Sequence, residues 1–360
     1  MKRIFNLAVS IAKNRTGRVP RPSWCTYLVS YRCNARCGMC DSWRMKPGRE
    51  LTADDVARMF AKLGRMDVVR VTGGEPFLRS DLVEVVDAIE SASRPLVLHV
   101  TTNGSMPEKI EAFAERFQRP RRLSIMVSLD GHQREHDASR GAEVTYDVAL
   151  ETVRRLAAVR ARRGIDVSVN YTVISAQSVA DTARVRAELA AMGVEMSIVL
   201  AYSGSATYGI RLRGKRAEEL IVPGGYPLHP ALAGTDVDGL VGEEMRIART
   251  FASRTRRIGK QYYLRGLLAR LRGEVDPRPR PHPRCVAVRS HIRLLPDGSV
   301  PVCQFNGETV GNLHTQSLRE VWGGQKARDA RAWVDRCTGC WAECEVIPSA
   351  IYSGDLLANT

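Results

Sequence analysis

The sequence predicts an α/β protein, a partial (β/α)6 TIM-like barrel followed by a small Cys-rich C-terminal domain. Three observations carry that expectation. From residue 25 to about 199, short β-rich runs alternate with helical patterns, as β-α units around a parallel sheet require. The runs are nearly continuous in apolar character, which fits strands covered on both faces. The nine cysteines fall into a group of three near the first strand and a group of five near the C-terminus, with Cys25 apart.

A chain of 360 residues exceeds one small domain and suits a barrel with an appendage. Apolar residues at 44% and charged residues at 26% are ordinary for a globular chain. The net charge of +15, carried mainly by Arg, can attract nucleic acid, anionic lipid or an acidic substrate. No nucleic-acid module or aromatic platform accompanies it, so nucleic acid is disfavoured as a partner. The clustered thiols in a chain without a secretory signal point to metal chemistry in the cytoplasm rather than to a disulfide framework.

Residues 1–23 form a basic segment in which Ile4, Phe5, Ala8, Val9, Ile11 and Ala12 lie among Lys2, Arg3, Lys13 and Arg15. A short amphipathic helix is expected there. It caps the bottom of the barrel or, as the less favoured alternative, touches an anionic membrane surface peripherally. Residues 24–240 hold the barrel, with strands expected at Thr26 to Ser30, Val68 to Thr72, Leu96 to Thr101, Leu123 to Leu129, Val167 to Ile174 and Val194 to Val199. Helical periodicity follows Thr52 (Val56, Met59, Phe60, Leu63) and Ser80 (Leu82, Val85, Val86, Ile89), making Thr52 and Ser80 candidate N-caps. Residues 200–240 read as an irregular excursion, 241–284 as Arg-rich helices and a Pro-rich linker, and 285–360 as the C-terminal domain with a helix from Ser317 to Trp333.

Cys33, Cys37 and Cys40 have the spacing C-x3-C-x2-C directly after the first strand. Three thiolates on one tight loop hold three irons of a 4Fe-4S cube and leave the fourth open, whereas structural zinc requires a fourth ligand that this loop lacks. At the end of the second strand stands Thr72-Gly73-Gly74-Glu75-Pro76, where adjacent glycines let a ligand approach the backbone. Together these motifs resemble those of the radical S-adenosylmethionine (SAM) superfamily, Met39 included at the apolar position before the last Cys. The resemblance implies a 4Fe-4S cluster that binds SAM at its open iron, with Gly73, Gly74, Glu75 and Pro76 as the GGEP motif that holds the SAM amine. It also implies that Thr102, Ser128, Asp130 and Asn170, at the ends of strands three to five, bind the SAM carboxylate and ribose. Read without the resemblance, Thr102 is a strand-end hydroxyl, Asn103-Gly104 a turn and Asn170 a satisfied inward amide. The segment Gly131 to Gly141 looks like one common in peptide-modifying members. Within it Arg140 is suited to pairing with a carboxylate, while His136 reads as a surface or loop-anchoring residue and Cys25 as a packing thiol.

In the last segment, Cys285 and Cys303 flank a hairpin at Pro296-Asp297-Gly298, and Cys337, Cys340 and Cys344 follow in C-x2-C-x3-C spacing. This pattern resembles the SPASM and twitch extensions of radical SAM enzymes. Full SPASM domains carry seven cysteines, so these five imply one auxiliary 4Fe-4S cluster, with the choice of four open and a zinc ribbon as the alternative. The implied activity is reductive cleavage of SAM and hydrogen abstraction from a substrate, as an oxidoreductase acting on a peptide. The alternatives are dehydrogenation or rearrangement of a sugar-like or lipid-linked small molecule, and a non-catalytic iron-sulfur electron carrier. An electron donor such as a flavodoxin or ferredoxin is the implied partner.

Overall fold

The computed structural model describes residues 2–46, 48–141, 143–203, 224–274 and 283–358. Residues 204–223 of the excursion and most of the Pro-rich linker lie outside them. The strands are β1 (Trp24–Ser30), β2 (Val68–Gly73), β3 (Val97–Thr102), β4 (Leu123–Leu129), β5 (Asp166–Val173), β6 (Glu195–Leu200), β7 (His291–Leu294), β8 (Ser299–Pro301) and β9 (Thr309–Asn312). The helices are α1 (Lys2–Arg15), α2 (Ala53–Leu63), α3 (Leu82–Ser93), α4 (Pro107–Arg116), α5 (Gln133–Arg140), α6 (Tyr146–Arg163) and α7 (Ala176–Ala191). After the barrel come α8 (Val237–Ala248), α9 (Arg254–Leu271), α10 (Leu318–Gly323), α11 (Gln325–Arg336), α12 (Glu343–Ser353) and α13 (Asp355–Ala358).

The six predicted strands form a parallel sheet in the order β6-β5-β4-β3-β2-β1, each within two residues of its expected position. A seventh strand joins it. β7, from the C-terminal segment, pairs in parallel with β1 from Trp24↔His291 to Tyr27↔Leu294, so it covers an edge that would otherwise stand open. The expected hairpin is therefore only partly formed: the Pro296-Asp297-Gly298 turn links β7 to β8, but β8 pairs antiparallel with β9. Gly324 adopts an extended conformation and splits the expected Ser317 to Trp333 helix into α10 and α11.

Helices cover one face of the sheet, where Tyr27, Val71, Val100, Val127 and Val169 join the core formed by Val56, Phe60, Val85 and Ile89. The other face, expected to be apolar as well, is polar. One register row runs Arg293, Thr26, Arg70, His99, Ser124 and Asp166 across β7, β1, β2, β3, β4 and β5. Side chains alternate along a strand, so this row and those two residues above it line the barrel interior.

Thr52 caps α2 as expected, accepting from the Asp55 N–H at 3.2 Å. The residue before α3 is Asp81 rather than Ser80, and it makes no cap bond because its carboxylate is taken by Arg79 at 2.8 Å. α1 crosses beneath the strand N-termini. Asn14 donates to Ser290 Oγ at 2.8 Å and to the Tyr352 carbonyl at 2.9 Å, while the Ser290 carbonyl accepts from Ser23 and Trp24 at the start of β1.

Candidate active site and auxiliary iron-sulfur site

The loop after β1 carries Cys33, Cys37 and Cys40, all unpaired, at the carboxyl end of the barrel. Burial pushes all three thiols up, Cys37 to about 11 and Cys40 to about 12, so loading with iron must displace their protons. The loop is held from three sides. Arg36 N–H donates to the Arg140 carbonyl at 2.8 Å, Asn34 donates to Ser105 Oγ at 3.0 Å, and Asn103 donates to Asn34 Oδ1 at 2.9 Å. Met39 sits on the same turn, closed by the Cys40 N–H to the Cys37 carbonyl at 3.1 Å.

Gly73 and Gly74 press the end of β2 against this loop. A Cβ on Gly73, whose φ is +143°, would stand 2.3 Å from the Ser30 carbonyl oxygen. One on Gly74 would stand 2.1 Å from that of Arg32. The glycines thus have a reason to be glycine, backbone against backbone, in addition to ligand approach. Pro76 opens a short 3-10 turn, and Glu75 before it is wholly buried. Its carboxylate accepts from the Asn103 N–H at 2.6 Å, the Thr102 hydroxyl at 2.8 Å and the Phe77 N–H at 3.1 Å. Glu75 and Thr102 therefore spend their side chains on each other, fixing the end of β2 to that of β3. Burial outweighs these donors and lifts Glu75 to about 7.

Asp130 is also wholly buried, and both its oxygens face Arg140, at 2.7 Å from Nε and 2.7 Å from Nη2. Burial alone would raise Asp130, but the guanidinium holds it below the usual carboxylate range. Its side chain is committed to Arg140, the carboxylate partner that Arg140 was suited to find. His136, rather than lying at the surface, is buried and accepts from the Asp130 N–H at 3.3 Å. Ser128 and Asn170 are register partners on β4 and β5, half-buried, and among the described residues no bond holds either side chain. Of the predicted SAM-binding residues, these two present open polar groups to the interior.

In the C-terminal segment, Cys285, Cys303, Cys337 and Cys340 line one cavity together with Phe305 and Glu345. Backbone N–H groups of Asn306 and Gly339 donate to the sulfurs of Cys303 and Cys337 at 3.3 Å and 3.4 Å. Burial pushes Cys285 up to about 12, and Cys303 and Cys340 upward too. Cys344 does not line this cavity; it donates to Gln304 Oε1 and lies 3.9 Å from Arg293 Nη2. Glu345 is buried between His291 at 3.0 Å and Arg293 at 2.9 Å. Burial would raise it, but these two partners hold it down at about 2. Four thiols around one enclosed space, with N–H donors to sulfur, fit a four-iron cluster. Three on a single half-buried turn fit a cluster with an open iron.

Residues 27–188 match the radical SAM superfamily and residues 285–341 the SPASM iron-sulfur cluster-binding domain. The chain belongs to the radical SAM superfamily. It is 32% identical over 158 residues to GTP 3',8-cyclase of Aquifex aeolicus, covering 40% of this chain and 45% of that protein. It is 32% identical over 151 residues to pre-heme d1 synthase of Dinoroseobacter shibae, covering 40% and 35%. This radical SAM chain thus spans less than half the length of these curated relatives. Among solved structures, it resembles anSMEcpe with bound SAM and a peptide (TM-score 0.60, 14% identity, 90% of this chain and 88% of that one). It also resembles SuiB of Streptococcus suis (TM-score 0.61, 15% identity, 88% and 69%). At such identities the likeness is one of fold. Its cofactors are a SAM-binding 4Fe-4S cluster, SAM and SPASM-type auxiliary iron-sulfur, and Cys33, Cys37, Cys40 and the C-terminal thiols are the residues suited to hold the metal.

Proposed function

We propose that this protein removes a hydrogen atom from a peptide substrate and oxidises it, with Cys33, Cys37 and Cys40 holding the SAM-binding cluster and Cys285, Cys303, Cys337 and Cys340 the auxiliary one. The carrying observation is the placement of the four-thiol cavity. Phe305 in its wall packs edge-on against Tyr202, 5.7 Å between ring centres, just beyond the end of β6, so the cavity borders the mouth of the barrel. Cys33, Cys37 and Cys40 would hold a cluster that supplies the electron for reductive cleavage of SAM, and Cys285, Cys303, Cys337 and Cys340 one that could take up the second electron as the substrate, after losing a hydrogen atom, also loses a proton. The chain's own residues position and exclude. Ser128 and Asn170 offer hydrogen bonds to SAM, the Gly73-Gly74 edge meets its amine, and the Asp130–Arg140 and Glu75–Thr102 pairs keep the strand ends rigid around it. The reducing cytoplasm and a flavodoxin or ferredoxin donor suit such clusters. The fold neighbours bound to peptides support this substrate class.

A second reading rests on Arg70. This half-buried guanidinium points into the barrel two residues below Thr72, next to His99, and makes no ion pair or hydrogen bond among the described residues. An unpaired cation in a polar interior favours a small acidic substrate, the class to which the GTP of the cyclase relatives belongs. Reduced protein with SAM, assayed by mass spectrometry for 5'-deoxyadenosine and for a two-hydrogen loss from candidate peptides, tests the first reading. Turnover of nucleotides but of no peptide, lost in Arg70→Met, would replace it with the second.

A further inference from the structure

Among the described residues, six large apolar side chains are exposed, namely Ile4, Phe5, Val19, Leu96, Val97 and Leu357. All six belong to one end of the molecule. Leu96 and Val97 stand at the entrance to β3, and their N–H groups donate to the Asp67 carbonyl. The Asp67 carboxylate accepts from the Tyr352 hydroxyl at 2.7 Å, which ties α12, and so α13 with Leu357, to the same rim. Arg3 donates to the Arg94 carbonyl at 3.2 Å, bringing the start of α1, which carries Ile4 and Phe5, to the same rim. Arg15, at the other end of α1, donates to the Ser353 carbonyl at 2.9 Å, and Val19 follows shortly after.

α1 buries Ser10 and Asn14 and half-buries Leu7, Val9 and Ile11, yet it leaves Ile4 76% and Phe5 67% exposed, with Ala8 and Ala12 also outward. A helix whose only partner was the core would turn all its large apolar residues inward. Charge on this end is one-sided. α1 contains Lys2, Arg3, Lys13 and Arg15 and no acidic residue. Exposed Arg18, Arg21, Arg65 and Arg94 surround it. The nearby acids are occupied, Asp67 by Tyr352, Asp355 by Tyr262 and Glu90 by Arg119.

We infer that this face is a docking surface for an anionic lipid bilayer, with Ile4, Phe5 and Leu357 entering the headgroup region and the arginines meeting lipid phosphates. Apolar insertion and basic charge together are what interfacial binding requires. A second copy of this chain fits less well, because a two-fold contact would set one basic face against another. The face lies at the strand N-termini, opposite the cysteine loop, so the bound protein turns its barrel mouth to the water. Its substrate then arrives from the aqueous side rather than from the bilayer beneath it.

The test is sedimentation of the full chain, clusters loaded, with vesicles of phosphatidylglycerol mixed with phosphatidylcholine and with vesicles of phosphatidylcholine alone. Binding is expected to the anionic vesicles only, to weaken with added salt, and to weaken about tenfold or more in Ile4→Glu with Phe5→Glu. Arg18→Glu with Arg65→Glu, which touches no buried residue, should weaken it as well. SAM cleavage in vesicle-free buffer should stay unchanged in both variants, which shows that they are folded. The inference is overturned if the unmutated protein stays in the supernatant, if both folded variants sediment as it does, or if the apolar substitutions instead abolish a dimer seen by light scattering.

Discussion

The two iron-sulfur sites differ in how their thiols are brought together. Cys33, Cys37 and Cys40 share one turn of eight residues, while Cys285, Cys303, Cys337 and Cys340 come from three separate pieces of chain spread over 56 residues. The first depends on little beyond its own loop and its anchors Asn34, Arg36 and Asn103. The second exists only when β7 joins the barrel and α12 closes beneath it. Each is flanked by a buried carboxylate–arginine pair, Asp130–Arg140 and Glu345–Arg293. A site made locally can leave an iron open for SAM, whereas one assembled from distant segments closes around its metal and becomes part of the folding of its domain.

The largest effect expected from this contrast is all-or-none. Replacing Cys33, Cys37 and Cys40 together by Ala should abolish 5'-deoxyadenosine formation under anaerobic reduction, while iron falls only from about eight to about four per chain. The auxiliary absorbance should persist. Undiminished cleavage by the triple variant would break the assignment of the open iron to this loop.

Next comes Asp130→Asn. Asp130 has no exposure and shares both oxygens with Arg140. The substitution leaves a buried guanidinium without its counter-charge and should cost about 3–5 kcal/mol in stability. Since Arg140 also holds Arg36 through its carbonyl, SAM affinity should fall with it. Thermal unfolding and SAM titration check the two effects. Unchanged stability with weakened SAM binding would instead make Asp130 a direct ligand.

Glu75→Gln sharpens the contrast between a carboxylate paired with a charge and one paired with dipoles. Gln offers its amide nitrogen where three donors already point, so a loss of about 1–3 kcal/mol is expected. The pH dependence has opposite signs at the two residues. Glu75, lifted to about 7, binds its proton more tightly in the fold than in the unfolded chain, so its contribution to stability falls as pH rises from about 4.5 through 7. Asp130 is held low, so its contribution is full above the ordinary aspartate range and is lost as pH falls through its lowered folded value. In Glu75→Gln the loss of stability between about pH 4.5 and 7 should disappear.

The barrel and the first site were legible because they are local. Strand runs, the turn of three cysteines and the Gly-Gly pair each announce themselves within a few residues, and β4 spans the predicted Leu123 to Leu129. What the sequence hid depends on pairings between distant residues. β7 is four residues long and reads as half of a hairpin until β1 offers it an edge. The polar interior leaves no pattern in the sequence because Arg70, His99 and Asp166 are single residues inside apolar runs and align only once the strands are in register. Asn103 looked like a turn residue, and its grip on Asn34 of the cysteine loop has no signal in spacing. Glu75 and Thr102 belong to separate motifs, the GGEP turn and the end of β3, and only the structure shows them bonded to each other.

The smallest expected effect is at Cys344, and it sharpens the comparison most. Spacing alone gives five candidate thiols for one cluster, and Cys344 is as near to Cys340 in sequence as Cys337 is, within one residue. Its neighbours are of another kind. Cys337 lines the shared cavity and receives the Gly339 N–H at its sulfur. Cys344 starts the chain into α12 on the side of Gln304 and Arg293, groups that would stabilise a thiolate or a thiol without any iron. Cys344→Ser should therefore keep about eight irons per chain and lose little stability, because the hydroxyl can donate to Gln304 as the thiol does. Cys337→Ser should lower iron to about four and halve the cluster absorbance while SAM cleavage continues. Iron analysis of the two variants side by side decides between them. Equal iron loss in both would place Cys344 in the cluster beside Cys337 and move one of Cys285, Cys303 and Cys340 out of it.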